Sequence, residues 1–405
     1  MGYAKRMWME EQAREYHTSS DGVCVNCFDD PGLAAFIAEH LETNTCSICG
    51  RKGNEKIAAP ADEVVQFFLE KMYDHYEDAA NTAPWDGEEG GFMVTTYSMY
   101  DLLFDKYPDI APYETLEWLH SRLKDDVVLC DRDWQIMTPG QALESGWGAF
   151  AESVKHTTRF LFFPNAKRDD DDGEPFRVRP EEMLDQLGEA IQACGLIRSI
   201  AAGTKVFRAR GHETGKTFTL PKDLGPPPVE FAKTAGRMNA PGIVVFYGAY
   251  EKETALAEAT GNHAAFSVAG FETLTELSVV DLTNLPRVPS IFEGGPRESL
   301  RSLHRFTREV SQPFEPDAEI HIEYTPSQVV SEFFRHRLHD GQGNPIRGLV
   351  YGSAKRTGAA NLALFVESWE VEGVATETWR KKEPVLRLVS TEETVAAKAR
   401  KKKRS

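Results

Sequence analysis

The sequence predicts an α+β protein with a mostly helical N-terminal domain and a mixed α/β C-terminal domain. Apolar residues recur at helical spacing through residues 1–163, whereas short β-branched and aromatic runs alternate with helical stretches from residue 181 to 390. A charged segment at 164–180 separates the halves as a linker or surface loop, and 391–405 form a basic tail. Each half is long enough to bury its own core.

Helical periodicity marks most of the N-terminal half. Asp62 precedes the amphipathic run 63–69 and is expected to be the N-cap of that helix. The stretches 98–104, 113–123 and 145–163 have similar spacing, so this domain is expected to be mostly α-helical.

The pattern changes after the charged segment. A helix is expected from about Pro180 to Ala193, and it leads into the second domain. Strands are then predicted at 206–208, 243–247, 277–282, 348–351 and 362–366.

Composition restricts the function classes. The 405-residue chain carries a net charge of -17, so binding to nucleic acid would need a local basic patch. The basic run 398–404 is such a candidate, but blocks of like charge are typically solvated tails. No apolar stretch is long enough for a membrane helix and the first residues precede acidic ones rather than an apolar leader, so we expect a cytoplasmic protein without membrane contact.

Four of the six cysteines form two Cys-x-x-Cys pairs separated by 18 residues, Cys24 with Cys27 and Cys46 with Cys49. This spacing is typical of a four-thiolate zinc site. Four sulfur ligands leave no open position for water, which predicts a structural role. A nucleic-acid-binding zinc ribbon is disfavoured, because the segment between the pairs has four acidic residues and no Lys or Arg.

Candidate site residues follow one another through the second domain. Each of them alone is an ordinary surface, core or turn residue, and only their joint order is informative. The order is Arg208, the segment 236–239 with Arg237, Tyr247, the helical segment 255–258 with Glu258, and Ser353.

This order resembles the RES family, named for an Arg, a Glu and a Ser, over residues 203–370. Met238 stands where many members carry Trp. The resemblance implies a fold related to ADP-ribosyltransferases and degradation of NAD by hydrolysis or phosphorolysis. It also implies a toxin or stress effector, and bacterial members pair with a helix-turn-helix antitoxin that covers the active site.

The same resemblance implies the residue roles. Cleavage of the nicotinamide–ribose bond passes through a cationic sugar. Glu258, expected about one turn into its helix, would stabilise that positive charge or orient the incoming oxygen. Arg208 and Arg237 would hold the diphosphate, because a planar guanidinium pairs with phosphate in two-pronged fashion. Tyr247, at the end of its strand, would stack on a base or on nicotinamide while its hydroxyl makes a hydrogen bond, and Ser353 would donate to phosphate or ribose. Glu258, Arg237 and Tyr247 are the catalytic candidates.

The N-terminal half looks like the HEPN-type domain that precedes RES in some longer members. Ribonucleases of the wider HEPN group carry an Arg followed by a His four to six residues later, whereas here His156 precedes Arg159. We therefore do not expect nuclease activity in this half.

Two alternatives stay open. The same bond cleavage could transfer ADP-ribose to a macromolecule, and the zinc site with the basic tail could form a nucleic-acid or protein interaction module. The acceptor in the reaction, the signal sensed by the N-terminal domain, an antitoxin and a homo-oligomer also stay open.

Overall fold

The structure is a computed structural model, and it describes residues 15–124, 127–132, 134, 139–160, 180–213, 215–259, 263–311, 320–375 and 383–395. The chain forms two compact units. The first comprises residues 1–137 together with 288–297, and the second comprises 138–287 together with 298–405. The expected linker at 164–180 lies outside the described residues, except for Pro180.

Short elements surround one long helix in the first unit. The strands are β1 (Gly22–Cys24), β2 (Ala58–Pro60), β3 (Tyr76–Asp78), β4 (Trp85–Asp86), β5 (Gly91–Phe92), β6 (Thr96–Tyr97) and β7 (Leu129–Asp131). The helices are α1 (Pro31–Glu39), α2 (Ala61–His75), α3 (Ala79–Thr82) and α4 (Tyr113–Arg122), with a π-helix at Asp101–Lys106. Short strands therefore accompany the helices of a half that we expected to be mostly α-helical.

The start of α2 differs from the prediction. The helix begins at Ala61, directly after Pro60, so Asp62 lies in its first turn and is not the N-cap. The Asp62 carboxylate instead accepts the backbone N–H of Ser19 at 2.9 Å. An acidic side chain in the first turn still complements the helix dipole, and the buried face predicted from the spacing is present.

A segment distant in sequence completes the core of the first unit. Phe292 is buried and its ring lies 5.5 Å from the ring of Phe68 on α2. Ser290 Oγ donates to the carboxylate of Asp30, which also caps α1 through the amides of Gly32 and Leu33. Nothing in the local pattern of 288–297 predicted that it packs in this unit.

An eight-stranded mixed sheet forms the framework of the second unit. Among the described residues its strands are β8 (Ile197–Ile200), β9 (Lys205–His212), β10 (Phe246–Ala249), β11 (Ala265–Thr273), β12 (Leu277–Asp281), β13 (Gly348–Gly352), β14 (Ala360–Leu364) and β15 (Leu386–Val395). Their order is β15-β11-β9-β10-β14-β13-β12-β8, and only β12 and β13 pair in parallel. The α+β class is thereby confirmed.

Helices flank this sheet in the second unit. They are α5 (Pro139–Glu152), α6 (Pro180–Ala193), α7 (Pro221–Leu224), α8 (Lys252–Glu258), α9 (Arg297–Ser311), α10 (Ile320–Glu323) and α11 (Thr325–His336). In the described part of the chain, no helix has both the length and the apolar character needed to cross a bilayer.

Three boundaries in the second half differ from the sequence analysis. The first compact unit ends at 137, because α5, which lies in the predicted N-terminal domain 1–163, packs with α6 and α11 of the second unit. The run 243–247 becomes a strand only from Phe246 to Ala249. Residues 391–395, expected to begin the basic tail, form the end of β15 and pair with β11, and the remaining tail lies outside the described residues.

Candidate active site

A cavity of about 220 Å³ lies over the centre of the eight-stranded sheet. It brings together three of the predicted residues, one each from β9, β10 and α8. Its lining comprises Arg208, Ala209, Tyr247, Gly248, Ala255, Glu258, Ala259, Tyr351 and Asn361.

Strand register explains why these side chains converge. Tyr351 on β13 lies directly opposite Asn361 on β14, so both side chains point to the same face of the sheet. Tyr247 on β10 pairs with Ala363, two residues from Asn361, and therefore shares that face. Because β10, β14 and β13 are neighbours, residues about 100 positions apart meet at one place.

The Glu258 carboxylate is held in one orientation by two hydrogen bonds. Its Oε1 accepts from Ser353 Oγ at 2.6 Å and from Asn361 Nδ2 at 2.8 Å. Glu258 is the last residue of α8, rather than lying one turn into the helix as we expected. The small Ala255, one turn earlier, also lines the cavity and lets the helix lie close to the sheet.

Ser353 follows β13 and contacts Glu258, but it is not among the residues that line the cavity. Its hydroxyl accepts the backbone N–H groups of Lys355 and Arg356 at 3.2 and 3.1 Å, while its proton goes to Glu258. A hydroxyl has a single proton to donate. In this geometry Ser353 orients Glu258, whereas the sequence analysis expected it to donate to phosphate or ribose.

Arg208 brings a buried cation to the cavity. Its Nη1 is buried and has no hydrogen-bond partner among the described residues. The Arg208 guanidinium lies 5.4 Å from the centre of the Phe246 ring. Burial, with a smaller contribution from nearby Arg210, lowers the pKa of Arg208 to about 10, so the side chain stays charged at neutral pH. A buried donor without a partner is costly, which is typical of a site that receives a ligand acceptor.

The Tyr247 ring lines the cavity, but its hydroxyl belongs to the neighbouring loop. The oxygen accepts the backbone N–H of Met238 and donates to Asn239 Oδ1, both at 2.8 Å. Burial raises the pKa of Tyr247 well above its ordinary value, so the phenol stays neutral. Tyr247 therefore offers a ring face to a ligand while its hydroxyl fixes the 236–239 loop.

Arg237 does not line the cavity. Its Nη1 donates to the backbone carbonyl of Val310 on α9, and the guanidinium lies 5.3 Å from the centre of the Tyr324 ring. The backbone on both sides is held by α11, because Ser327 Oγ donates to the Arg237 carbonyl and Gln328 Nε2 to the Gly236 carbonyl. Arg237 is thus outside the cavity lining but still near it, because its positive charge opposes the burial that raises the pKa of Tyr351.

Two cavity residues, Tyr351 and Asn361, were not assigned a role from the sequence. Tyr351 ends a predicted strand and Asn361 directly precedes another, and both lie within the residues 203–370 that carry the family resemblance. Burial raises the pKa of Tyr351 above its ordinary value, so it is a neutral wall of the cavity. Asn361 is 5% exposed and its Oδ1 has no partner among the described residues.

The four paired cysteines meet in the first unit, as the spacing predicted. The sulfur atoms lie within 4.8 Å of one another, at 3.7 Å for Cys24 with Cys27 and 3.6 Å for Cys27 with Cys46. Four sulfurs at about 2.3 Å from a tetrahedral ion would be separated by about 3.8 Å, so this cluster could hold a metal. Gly50, just after Cys49, has a φ of 70°, a conformation that favours glycine at this turn.

A wider groove of about 900 Å³ lies along β8 and the loop 340–345. It contains none of the predicted residues. Three of its charged side chains are already engaged, since Asp340 accepts from Ser278, Glu276 accepts from Ser199 and Arg347 pairs with Glu370. The smaller cavity is therefore the candidate active site.

Two family models match the chain, and the residues that line the smaller cavity all lie within the second match. The family model described as "HEPN/RES N-terminal domain 1" matches residues 39–168, and the model described as "RES domain" matches 205–384. The first match extends past residue 137, where the first compact unit ends, and includes α5. No curated protein matches the chain. The two family matches follow one another in the expected order and together cover most of the sequence. The chain therefore has a HEPN/RES N-terminal domain followed by a RES domain, and the RES domain indicates action on NAD.

Proposed function

We propose that this protein cleaves the nicotinamide–ribose bond of NAD in the cavity over the RES sheet. The observation that carries the proposal is one cavity that holds both an oriented carboxylate, Glu258, and a buried cation, Arg208, with a donor that is unpaired among the described residues. Tyr247 and Tyr351 line the same cavity. NAD has a positively charged nicotinamide ring on one side of its ribose and a negatively charged diphosphate on the other. The carboxylate suits the cationic end and the guanidinium suits the diphosphate.

The bond change follows from the chemistry of NAD. The C–N bond breaks with its electron pair going to the nicotinamide nitrogen, which neutralises the pyridinium ring. The ribose carbon becomes electron-deficient, and the fixed carboxylate of Glu258 stabilises it. Water then adds its oxygen to that carbon and releases a proton, giving ADP-ribose. Phosphate in place of water would give ADP-ribose phosphate.

The dimensions of the cavity support binding of one end of the dinucleotide. Its volume of about 220 Å³ is below the range of about 300–1,000 Å³ that holds a whole drug-sized ligand. The faces of Tyr247 and Tyr351 are suited to a flat aromatic ring. We infer that nicotinamide and its ribose occupy the cavity, while the diphosphate extends towards Arg208.

The proposed roles now differ between residues. Glu258 stabilises the cationic sugar and Arg208 binds the diphosphate. Tyr247 stacks on the ring, and Ser353 positions Glu258. For Arg237, the hydrogen bond to Val310 supports a role in holding its loop more than direct contact with substrate.

The decisive experiment is incubation of the full-length protein with NAD, with and without phosphate, followed by mass identification of the products. Free ADP-ribose indicates hydrolysis and ADP-ribose phosphate indicates phosphorolysis. Labelled NAD that becomes attached to protein or nucleic acid would favour the transferase alternative. Unchanged NAD under all conditions would contradict the proposal.

Replacement of Glu258 by Gln tests the carboxylate. The variant keeps the shape and an acceptor oxygen for Ser353 and Asn361, but it lacks the negative charge. We expect turnover to fall by about 10²–10⁴ with little loss of NAD affinity, because the charge acts mainly in the transition state. A folded variant with undiminished NAD consumption would remove Glu258 from the mechanism.

Further parts of the proposal concern the whole protein. We propose that the ion in the four-cysteine cluster is zinc with a structural role, since thiolate ligands suit it. The RES domain supports a toxin or stress effector, a relation to the ADP-ribosyltransferase fold, and control by a helix-turn-helix antitoxin. Co-expression with a candidate antitoxin, and mass measurement in solution for a homo-oligomer, test these partners.

A further inference from the structure

The side-chain amide of Asn361 is hydrogen-bonded at its nitrogen but, within the described part of the chain, not at its oxygen. Its Nδ2 donates to Glu258 Oε1 at 2.8 Å. Its Oδ1 is buried, lacks a partner among the described residues, and belongs to a side chain that lines the cavity and is 5% exposed. Buried polar atoms are nearly always hydrogen-bonded, so an unpaired acceptor in a cavity indicates a ligand donor.

The hydrogen bond to Glu258 also fixes the chemical identity of the free atom. A carboxylate accepts hydrogen bonds, so the amide nitrogen must face Glu258 and the amide oxygen must face the cavity. Strand pairing restricts the backbone, since Asn361 lies between Ala249 on β10 and Tyr351 on β13. The cavity therefore presents a pre-oriented acceptor next to the carboxylate.

We propose that Asn361 determines substrate specificity, and that its Oδ1 accepts a hydrogen bond from the nicotinamide riboside end of NAD while its Nδ2 positions Glu258. This inference rests on the proposed function. Two groups at that end supply the required donor, the carboxamide N–H of nicotinamide and a ribose hydroxyl. Both lie near the bond that breaks, and the same amide would thus link recognition of the substrate to the orientation of Glu258.

The test compares NAD with two analogues, each lacking one donor. Nicotinic acid adenine dinucleotide has a carboxylate in place of the carboxamide, and the second analogue lacks the 2′-hydroxyl of the nicotinamide ribose. We expect wild-type kcat/KM to favour NAD over one of the two by at least about tenfold, because a site with a buried acceptor disfavours a ligand that leaves it unpaired. In Asn361→Ala that preference should fall to within about threefold.

A second variant separates recognition from positioning. Asn361→Asp keeps an acceptor oxygen but puts a carboxylate against Glu258, which favours the protonated form of the pair. We therefore expect a lower kcat and an acid limb of the pH–rate profile that moves to higher pH. Asn284→Ala is the matched control, because Asn284 also donates to a carboxylate, that of Asp281, but is exposed and outside the cavity.

The shift in melting temperature caused by NAD and by each analogue measures binding even in a variant that does not consume NAD. If the wild-type protein consumes no NAD, the proposed function fails, while a ligand preference that Asn361→Ala abolishes would still support the inference. An equal preference in wild type and Asn361→Ala, or a wild-type protein that does not discriminate between the ligands, would overturn it. A pH profile of Asn361→Asp identical to that of wild type would overturn the positioning role.

Discussion

At the scale of single residues, the candidate site consists of one carboxylate and the groups that orient it. Glu258 Oε1 accepts two hydrogen bonds, from Ser353 and from Asn361, and in the proposed reaction the second oxygen faces the substrate. Charge-assisted hydrogen bonds of this kind are short and strong. Loss of either donor would leave the Glu258 carboxylate in the cavity with one hydrogen bond instead of two, so its orientation would be less restricted.

Ser353→Ala is therefore expected to lower kcat by about 10- to 100-fold with a change in KM below about threefold, as is typical when a supporting contact is removed. Ser353→Thr keeps a hydroxyl and should recover much of the rate. Steady-state kinetics with NAD measure both effects. A raised KM with unchanged kcat would instead indicate that Ser353 contacts the substrate directly.

Arg208→Lys should bind NAD more weakly than the wild-type protein, although the variant keeps a basic side chain. A point charge does not reproduce two-pronged pairing, and loss of such a contact costs about 2–3 kcal/mol, or a 30- to 150-fold weaker affinity. Burial lowers the pKa of Arg208 to about 10 and would lower that of a lysine there in the same direction. The protonated form binds phosphate, so affinity of the lysine variant should fall as the pH rises from 7 to 9, whereas wild-type affinity should fall only near pH 10.

Titration calorimetry across that pH range measures both effects. Arg210→Lys is the neighbouring control, because the Arg210 guanidinium donates to the carbonyl of Asp223 and lies over the Phe218 ring rather than in the cavity. If Arg208→Lys binds NAD as tightly as the wild-type protein at every pH, Arg208 does not bind the diphosphate.

At the scale of elements, the loop 236–239 is joined to β10 through the Tyr247 hydroxyl. The carbonyls of Thr234, Ala240 and Ile243 lie 3.1–3.2 Å from Asn239 Nδ2 and share its two protons, so this one side chain closes the turn. The turn leaves no space at Gly236, where a Cβ would overlap Asn239 Oδ1 and the Tyr247 hydroxyl. The loop and the ring that lines the cavity are therefore held as one piece.

Gly236→Ala should destabilise the second unit by about 1–3 kcal/mol and lower NAD turnover, because the added methyl group displaces Tyr247. Gly341→Ala is the matched control, since a Cβ there meets nothing within 4 Å. Chemical denaturation and steady-state kinetics measure the two effects. Equal stability and activity for Gly236→Ala and wild type would show that the loop does not position the ring.

At the scale of the whole molecule, the metal cluster and the RES cavity lie in different compact units. The cluster joins β1 to the loop that carries Cys46 and Cys49, within the core of the first unit. Metal binding to an ordered site contributes directly to folding, because the unfolded chain does not hold the ligands together.

Cys46→Ser is expected to abolish stoichiometric zinc and to lower the melting temperature of the first unit. Cys130→Ala is the control, because Cys130 is also buried in that unit but outside the cluster. Metal analysis and calorimetry provide the readouts, and acid should release the metal because protons compete for the thiolates. Less than about 0.2 zinc per chain in protein purified without chelator would contradict the zinc assignment.

The sequence alone determined part of the secondary structure and the order of the candidate residues along the chain. The helix Pro180–Ala193 was predicted with both ends correct, and the four cysteines converge as their spacing indicated. Both features depend on residues that are close along the chain, where periodicity and ligand spacing act directly. The RES family was likewise recognisable, because its motif is an order of residues.

Only the tertiary structure decided which of those residues meet and what each hydrogen bond does. Ser353 and Asn361 reach Glu258 across 95 and 103 positions, and the contacts depend on strand order and register in the sheet. Arg237 matched the motif as well as Arg208 did, yet its guanidinium turns to Val310. Local pattern specifies side-chain type and spacing, whereas the partners of a buried polar atom are set by packing between distant segments.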